Sequence, residues 1–153
     1  MQQYDKFTFR GEHALRREWV YGGIMMLKSD TWIVQFVEIG GGYVKQNIPI
    51  KPNTVGQCTG LVDKNGTAIF EGDVLRFYDD RDPYCAIVWD ESRLAFCTFE
   101  IERKLTCEII PNRDDQYVNA YHDDCCLTGS EIKEDLVVAG NIYDNPELME
   151  VAA

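Results

Sequence analysis

The chain has 153 residues, 45% of them hydrophobic and 27% charged, and a formal net charge of -11. That balance is the one expected of a single globular domain. It excludes a disordered tail, and the length suffices to bury a core without a metal or disulfide staple. The acidic field repels phosphate backbones, and the only adjacent basic pairs are Arg16-Arg17 and Arg103-Lys104, so direct nucleic-acid binding is not expected.

The chain opens on "MQQYDKFTFRGEH", which has no apolar h-region and meets charge at Asp5, so it does not read as an export signal. "GGIMML" stops at Lys28 and "WIVQFV" at Glu38, far short of the roughly 20 residues of a spanning helix. No membrane segment is therefore expected. A cytoplasmic location follows, in which the six cysteines stay reduced.

Strand patterns dominate in chain order. "KFTFR" alternates Phe7 and Phe9 with polar neighbours, and "TWIVQFVEI", "DVLRFY", "YCAIVWD", "RLAFCTFEI" and "DLVVAG" are rich in β-branched and aromatic residues. Between the first two of these, Trp19 and Tyr21 alternate in "EWVYGG", and Trp32, Phe36 and Tyr43 follow soon after. These five aromatics are the candidate protein-contact surface. "GGGYVKQNIPIKPNTV" marks a soft division, because Gly40 to Gly42 permit unusual backbone angles while Pro49 and Pro52 disfavour helix and central strand. "GGGY" has no lysine-serine pair after it and reads as a hinge or hairpin loop, not a phosphate loop.

Asn65-Gly66 predicts a two-residue hairpin turn, because both residues tolerate positive φ, and Gly72 a bulge or bend. Residues 111–128, "PNRDDQYVNAYHDDCCLT", read as a long polar insertion. A short helix is expected from Ser130, and a terminal one with Asn145 as N-cap and Pro146 at its first position. Trp89 reads as core and His13 as part of a solvated turn. The expected fold is mainly β: a small SH3-like barrel core with an N-terminal β layer and short helical turns. It forms a single domain over 1–153, with the β layer in 1–53 and the barrel-like core and C-terminal turn in 54–153.

The acidic stretch holds Asp63, Glu71 and Asp73. A calcium loop needs ligands at alternate positions, glycine at the sixth and glutamate at the twelfth; counted from Asp63, glycine is fourth and glutamate ninth. The expectation is that these carboxylates serve turns and the rim of the fold, with Asp63 accepting backbone N–H groups. A metal-dependent enzyme or metal-binding protein built on Asp63, Glu71 and Asp73, with His122, is the rival reading. In "HDDCC", Cys125 and Cys126 are adjacent, which lets two zinc ligands converge only with strain. Cys58, Cys85, Cys97 and Cys107 sit alone in apolar patterns and read as small core residues. Neither His13 nor His122 lies in a nucleophile signature, so no catalytic residue, cofactor or metal is expected.

"VGQCTGLVDKNGTAIFEGDVLRF", closed by "VVAGNIYDNPEL" and opened by "FRG" and "EWVYGG", resembles the YopX family of phage and prophage proteins. The resemblance runs discontinuously from Phe9 to Leu148 and leaves 78–136 largely unmatched. It implies a phage or prophage origin, a mainly β domain and an intracellular bacterial setting, and it brings no catalytic residues. The expected role is that of a non-enzymatic accessory protein that contacts a protein partner or a second copy of itself, with no direct nucleic-acid or membrane contact.

Overall fold

The structure, a computed structural model, describes residues 4–78, 85–100, 105–108 and 129–150. The chain divides into two compact units, Met1–Cys58 and Thr59–Ala153.

In the first unit, β1 (Phe9–Glu12), β2 (Trp19–Leu27), β3 (Asp30–Ile39) and β4 (Gly42–Pro49) are followed by a 3-10 turn (Pro52–Thr54) and the start of β5 (Gly56–Val62). The pairing order is β4-β3-β2-β1-β5, all antiparallel. β2 changes partner in its middle: Gly22 is the last residue paired with β1 and Gly23 the first paired with β3. Gly22 is required there, because a Cβ on it would lie 2.5 Å from the Val34 carbonyl oxygen. Gln35 spans the gap by donating its side-chain amide to the Tyr21 carbonyl at 2.6 Å.

Alternation along β3 buries Thr31 and Ile33. The far ends of β1 and β4 are joined by an isolated bridge between His13 and Ile50, with Ala14 N–H donating to the Pro49 carbonyl and Lys51 N–H to that of Glu12, both at 2.9 Å. His13 is thereby buried, and its Nδ1 accepts the Leu15 N–H at 3.0 Å. The solvated turn expected around it is corrected by this long-range bridge.

In the second unit the rest of β5 folds back on β6 (Ala68–Phe70), and β7 (Asp73–Phe77), β8 (Cys85–Asp90), β9 (Ala95–Glu100), β10 (Leu105–Glu108) and β11 (Leu136–Asn141) form an antiparallel sheet in the order β10-β9-β8-β7-β11. Both faces of β7 and of the first half of β8 are covered. Leu75, Cys85 and Ile87 pack with Ile69, Leu136 and Ile132 of the helix α1 (Gly129–Asp135). Val74 and Ala86 pack with Ile142, Leu148 and Met149 at the C-terminal end. Each fully buried aliphatic chain contributes roughly 1.5–3 kcal/mol.

The mainly β class stands. Among the described residues the second unit closes no barrel: β10 and β11 lie at opposite ends of an open sheet. The reason is visible at β11, whose outer edge is taken by the loop after β5, since Lys64 N–H donates to the Leu136 carbonyl at 2.9 Å. The terminal helix is a single 3-10 turn, Pro146–Met149, with Asn145 at its N-cap. Trp89 is not core. It stands 43% exposed near the end of β8, edge-on to Phe96 at 5.1 Å. Cys58, Cys85 and Cys97 are buried, whereas residues 111–128 lie outside the described ones.

Two glycines separate strain from crowding. Gly66 has φ +80° with nothing within 4 Å of an added Cβ, so Gly66→Ala is expected to cost about 1 kcal/mol, from backbone strain alone. Gly22→Ala should cost more, about 1–3 kcal/mol, because a backbone carbonyl must move. Urea unfolding of both variants checks the order.

Candidate functional site

The five candidate aromatics separate into two groups. Arg10 pairs with Tyr21 across β1 and β2, and its guanidinium, in a residue only 6% exposed, lies 4.8 Å over the Trp19 ring. A desolvated cation on an indole face is stabilising by about 2 kcal/mol. Tyr21 stacks on Tyr4 at 4.9 Å, and burial, then the neighbouring Tyr21, raises the Tyr4 phenol above its ordinary value. Trp19 and Tyr21 are thus half-buried and engaged within their own unit.

The other group lies on the β3–β4 hairpin. Register puts Trp32 opposite Pro49, Phe36 opposite Lys45 and Glu38 opposite Tyr43, so Trp32, Phe36 and Tyr43 share one face. Trp32 is half-buried near the base, while Phe36 and Tyr43 toward the tip are 68% and 73% exposed. The opposite face of the same tip carries Val37 against Val44, with Ile39 beside them; Ile39 is 58% and Val44 47% exposed. Sequence reasoning missed Val44 and Lys45, because "GGG" before them and Pro49 after them read as strand breakers, and it missed Ile39 because only aromatics were taken as contact candidates. The available signal was the alternation of "YVKQNI" against "VQFVEI" across three glycines.

The acidic stretch assembles differently from a rim. Asp63 N–H donates to the Thr67 carbonyl and Gly66 N–H to that of Asp63, both at 2.9 Å, so the loop has three residues. Gly66 takes positive φ and Asn65 does not, and the three-residue loop corrects the expected two-residue one. Asp63 is 2% exposed. Its Oδ1 accepts the N–H groups of Asn65 at 2.9 Å and Thr67 at 2.8 Å, and its Oδ2 accepts that of Val138 at 2.9 Å.

Gly72, at φ +86°, makes the turn between β6 and β7; its N–H donates to the Ile87 carbonyl at 2.8 Å and its carbonyl accepts the Ile142 N–H at 2.9 Å. Asp73 is 2% exposed too, and its Oδ2 accepts the Phe70 N–H at 2.8 Å. Glu71 is half-buried at the same turn.

The Asp63 and Asp73 carboxylates are withdrawn from solvent, unlike most turn acids. Both oxygens of Asp63 already receive N–H donors, three in all. No group of three or more metal-ligating side chains occurs among the described residues, and His122, Cys125 and Cys126 lie outside them.

Asp63→Ala leaves buried N–H groups unpaired and is expected to cost about 3 kcal/mol or more, at roughly 1–3 kcal/mol per orphaned group. Asp63→Asn should fall between the two, since one oxygen remains. Chemical denaturation of the pair tests the assignment. Melting with and without magnesium, calcium, manganese or zinc should give the same temperature, whereas a site filled at 100 times its dissociation constant would add about 2.7 kcal/mol.

The chain is similar to a solved protein, the crystal structure of protein EF1440 from Enterococcus faecalis, at 23% identity and a TM-score of 0.49, covering 94% of this chain and 97% of that one. No curated protein matches it. The family model described as YopX protein matches residues 8–150, a span that includes both β1 of the first unit and the hydrogen-bonded acidic turns of the second. The chain belongs to the YopX protein family.

Proposed function

We propose that this protein is a phage- or prophage-encoded accessory protein that acts in the bacterial cytoplasm by non-enzymatic protein–protein contact, and that the β3–β4 hairpin is its contact surface. The observation that carries this reading is the tip of that hairpin, where Phe36 and Tyr43 on one face and Ile39 and Val44 on the other are all exposed. A two-stranded ribbon with apolar side chains on both faces buries neither by itself. Contiguous apolar surface of this kind marks association sites.

Charge favours the same place. The chain carries -11 overall, yet residues 35–47 hold one Glu38 and one Lys45 and no other charge, so a partner meets no local repulsion there. The small-barrel part of the expectation belongs with this reading and moves to the first unit. The change of partner within β2, the 3-10 turn before β5 and the His13–Ile50 bridge support an SH3-like arrangement of β1 to β5.

The test is the double substitution Phe36→Ser and Tyr43→Ser. Both side chains are exposed, so stability should change by about 0.5 kcal/mol or less at each. Self-association, read by sedimentation, or capture of a host protein from lysate, or both, should be lost. A double variant that associates and captures as the wild type does would overturn the reading.

A further inference from the structure

Among the described residues nothing pairs with the outer backbone edge of the hairpin tip, and the edge narrows the choice of partner. Gly40 and Gly41, at φ +62° and +81°, form the two-residue turn that joins Ile39 to Gly42. Ile50 N–H donates to the Thr31 carbonyl at 3.1 Å, which fixes the even-numbered residues of β4 as those bonded to β3. The N–H and C=O groups of Tyr43, Lys45 and Asn47 therefore point outward. β4 is the terminal strand of its sheet, and no strand among the described residues pairs with that edge. Toward Pro49 the edge ends, because Pro49 has no N–H and its carbonyl is taken by Ala14.

We infer that a second copy of this chain adds to this edge, β4 against β4 in antiparallel register about a twofold axis at Val44. The inference rests on the reading of the hairpin as the contact surface and names its occupant. Outward groups alternate, so odd residues must face odd residues. Centring on Lys45 sets two like charges opposite each other, which is unfavourable. Centring on Gln46 or further on runs the pairing into the part of the edge that Ala14 closes. Centring on Tyr43 leaves only one bonded pair within the strand.

Centring on Val44 gives two bonded pairs, each placing Tyr43 opposite the partner's Lys45. One face then reads Glu38, Tyr43, the partner's Lys45, the partner's Phe36. Lys45 thus lies about 9.6 Å, two strand spacings, from the opposite copy's Glu38, with an aromatic ring between them. The other face reads Val37, Val44, the partner's Val44, the partner's Val37, an apolar ladder that covers the exposed Val44. A pairing confined to one edge buries less than about 1,200 Å², so the dimer is reversible and concentration dependent.

The register makes one residue its own opposite number. In the intact chain, Val44→Cys brings two cysteines face to face across a non-bonded pair, within disulfide reach. Tyr43→Cys and Lys45→Cys leave theirs on a diagonal beyond about 7 Å. Mild oxidation should yield a 44–44 linked dimer, identified by peptide mass, from the first variant alone, with oxidised wild type as the control for native thiols. Sedimentation equilibrium should show a monomer–dimer equilibrium that Lys45→Glu and Glu38→Lys each weaken and the double exchange restores. Linkage through position 43 or 45 would overturn the register. A monomer at every concentration would overturn the inference while leaving the hairpin reading intact if host-protein capture still depends on Phe36 and Tyr43. If neither association nor capture depends on them, both fail.

Discussion

The carboxylate of Asp63 is the constraint on which the second unit depends. It gathers three backbone N–H groups, two from its own loop and one from Val138, 75 residues further along the chain. A buried charge with those donors removed would be costly, and with them it fixes the loop and the position of β11 at once. Lys64 reinforces the join, its N–H on the Leu136 carbonyl at 2.9 Å and its ammonium on that of Glu134 at 2.6 Å. The neighbouring acid follows the same logic: Asp73 closes the turn through the Phe70 N–H and sits opposite Asn141 in the pairing of β7 with β11. The two stretches that carry the family resemblance, "DKNGTAIFEGDV" and "VVAGNIYDN", are thus joined by hydrogen bonds at Asp63–Val138 and Gly72–Ile142. Asp63 and Gly72 make that join directly, and Asp73 closes the turn beside it.

The long strands were legible in sequence because β-branched and aromatic residues alternate in them without interruption, as in "TWIVQFVEI" and "YCAIVWD". β4 was not. Its three leading glycines and its closing proline look like breakers, yet Gly40 and Gly41 supply the left-handed turn and Pro49 falls where its missing N–H would point away from β3. β6 has only three residues and offers no period to read. The burial of Asp63, Asp73 and His13 was out of reach for a different reason. Local sequence places acids at turns in solvent, and what removes them from it here is a distant segment: Val138 for Asp63, Ile50 for His13.

The first unit uses its aromatics for two purposes. Near β1, Trp19 and Tyr21 hold a buried arginine and a stacked tyrosine, and are part of the packing. Beyond the point where β2 changes partner, the hairpin extends past the buried Ile33, and its apolar residues have little of their own unit to lie on. One sequence feature, an aromatic-rich β layer, therefore divides at Gly22 into a part that stabilises the unit and a part that is offered outward.

The span between Asp63 and Val138 also sets an order of events during synthesis. The loop and its carboxylate leave the ribosome first, and the strand that completes their hydrogen bonding follows 75 residues later. At about 5–20 residues per second that interval is roughly 4–15 s. Through it the aspartate keeps its water, and the β5–β6 hairpin has no reason to bury its acid. The second unit therefore completes its hydrogen bonding only once β11 has been made, and a chain halted before that strand leaves the Asp63 carboxylate one donor short and the Lys64 N–H without the Leu136 carbonyl.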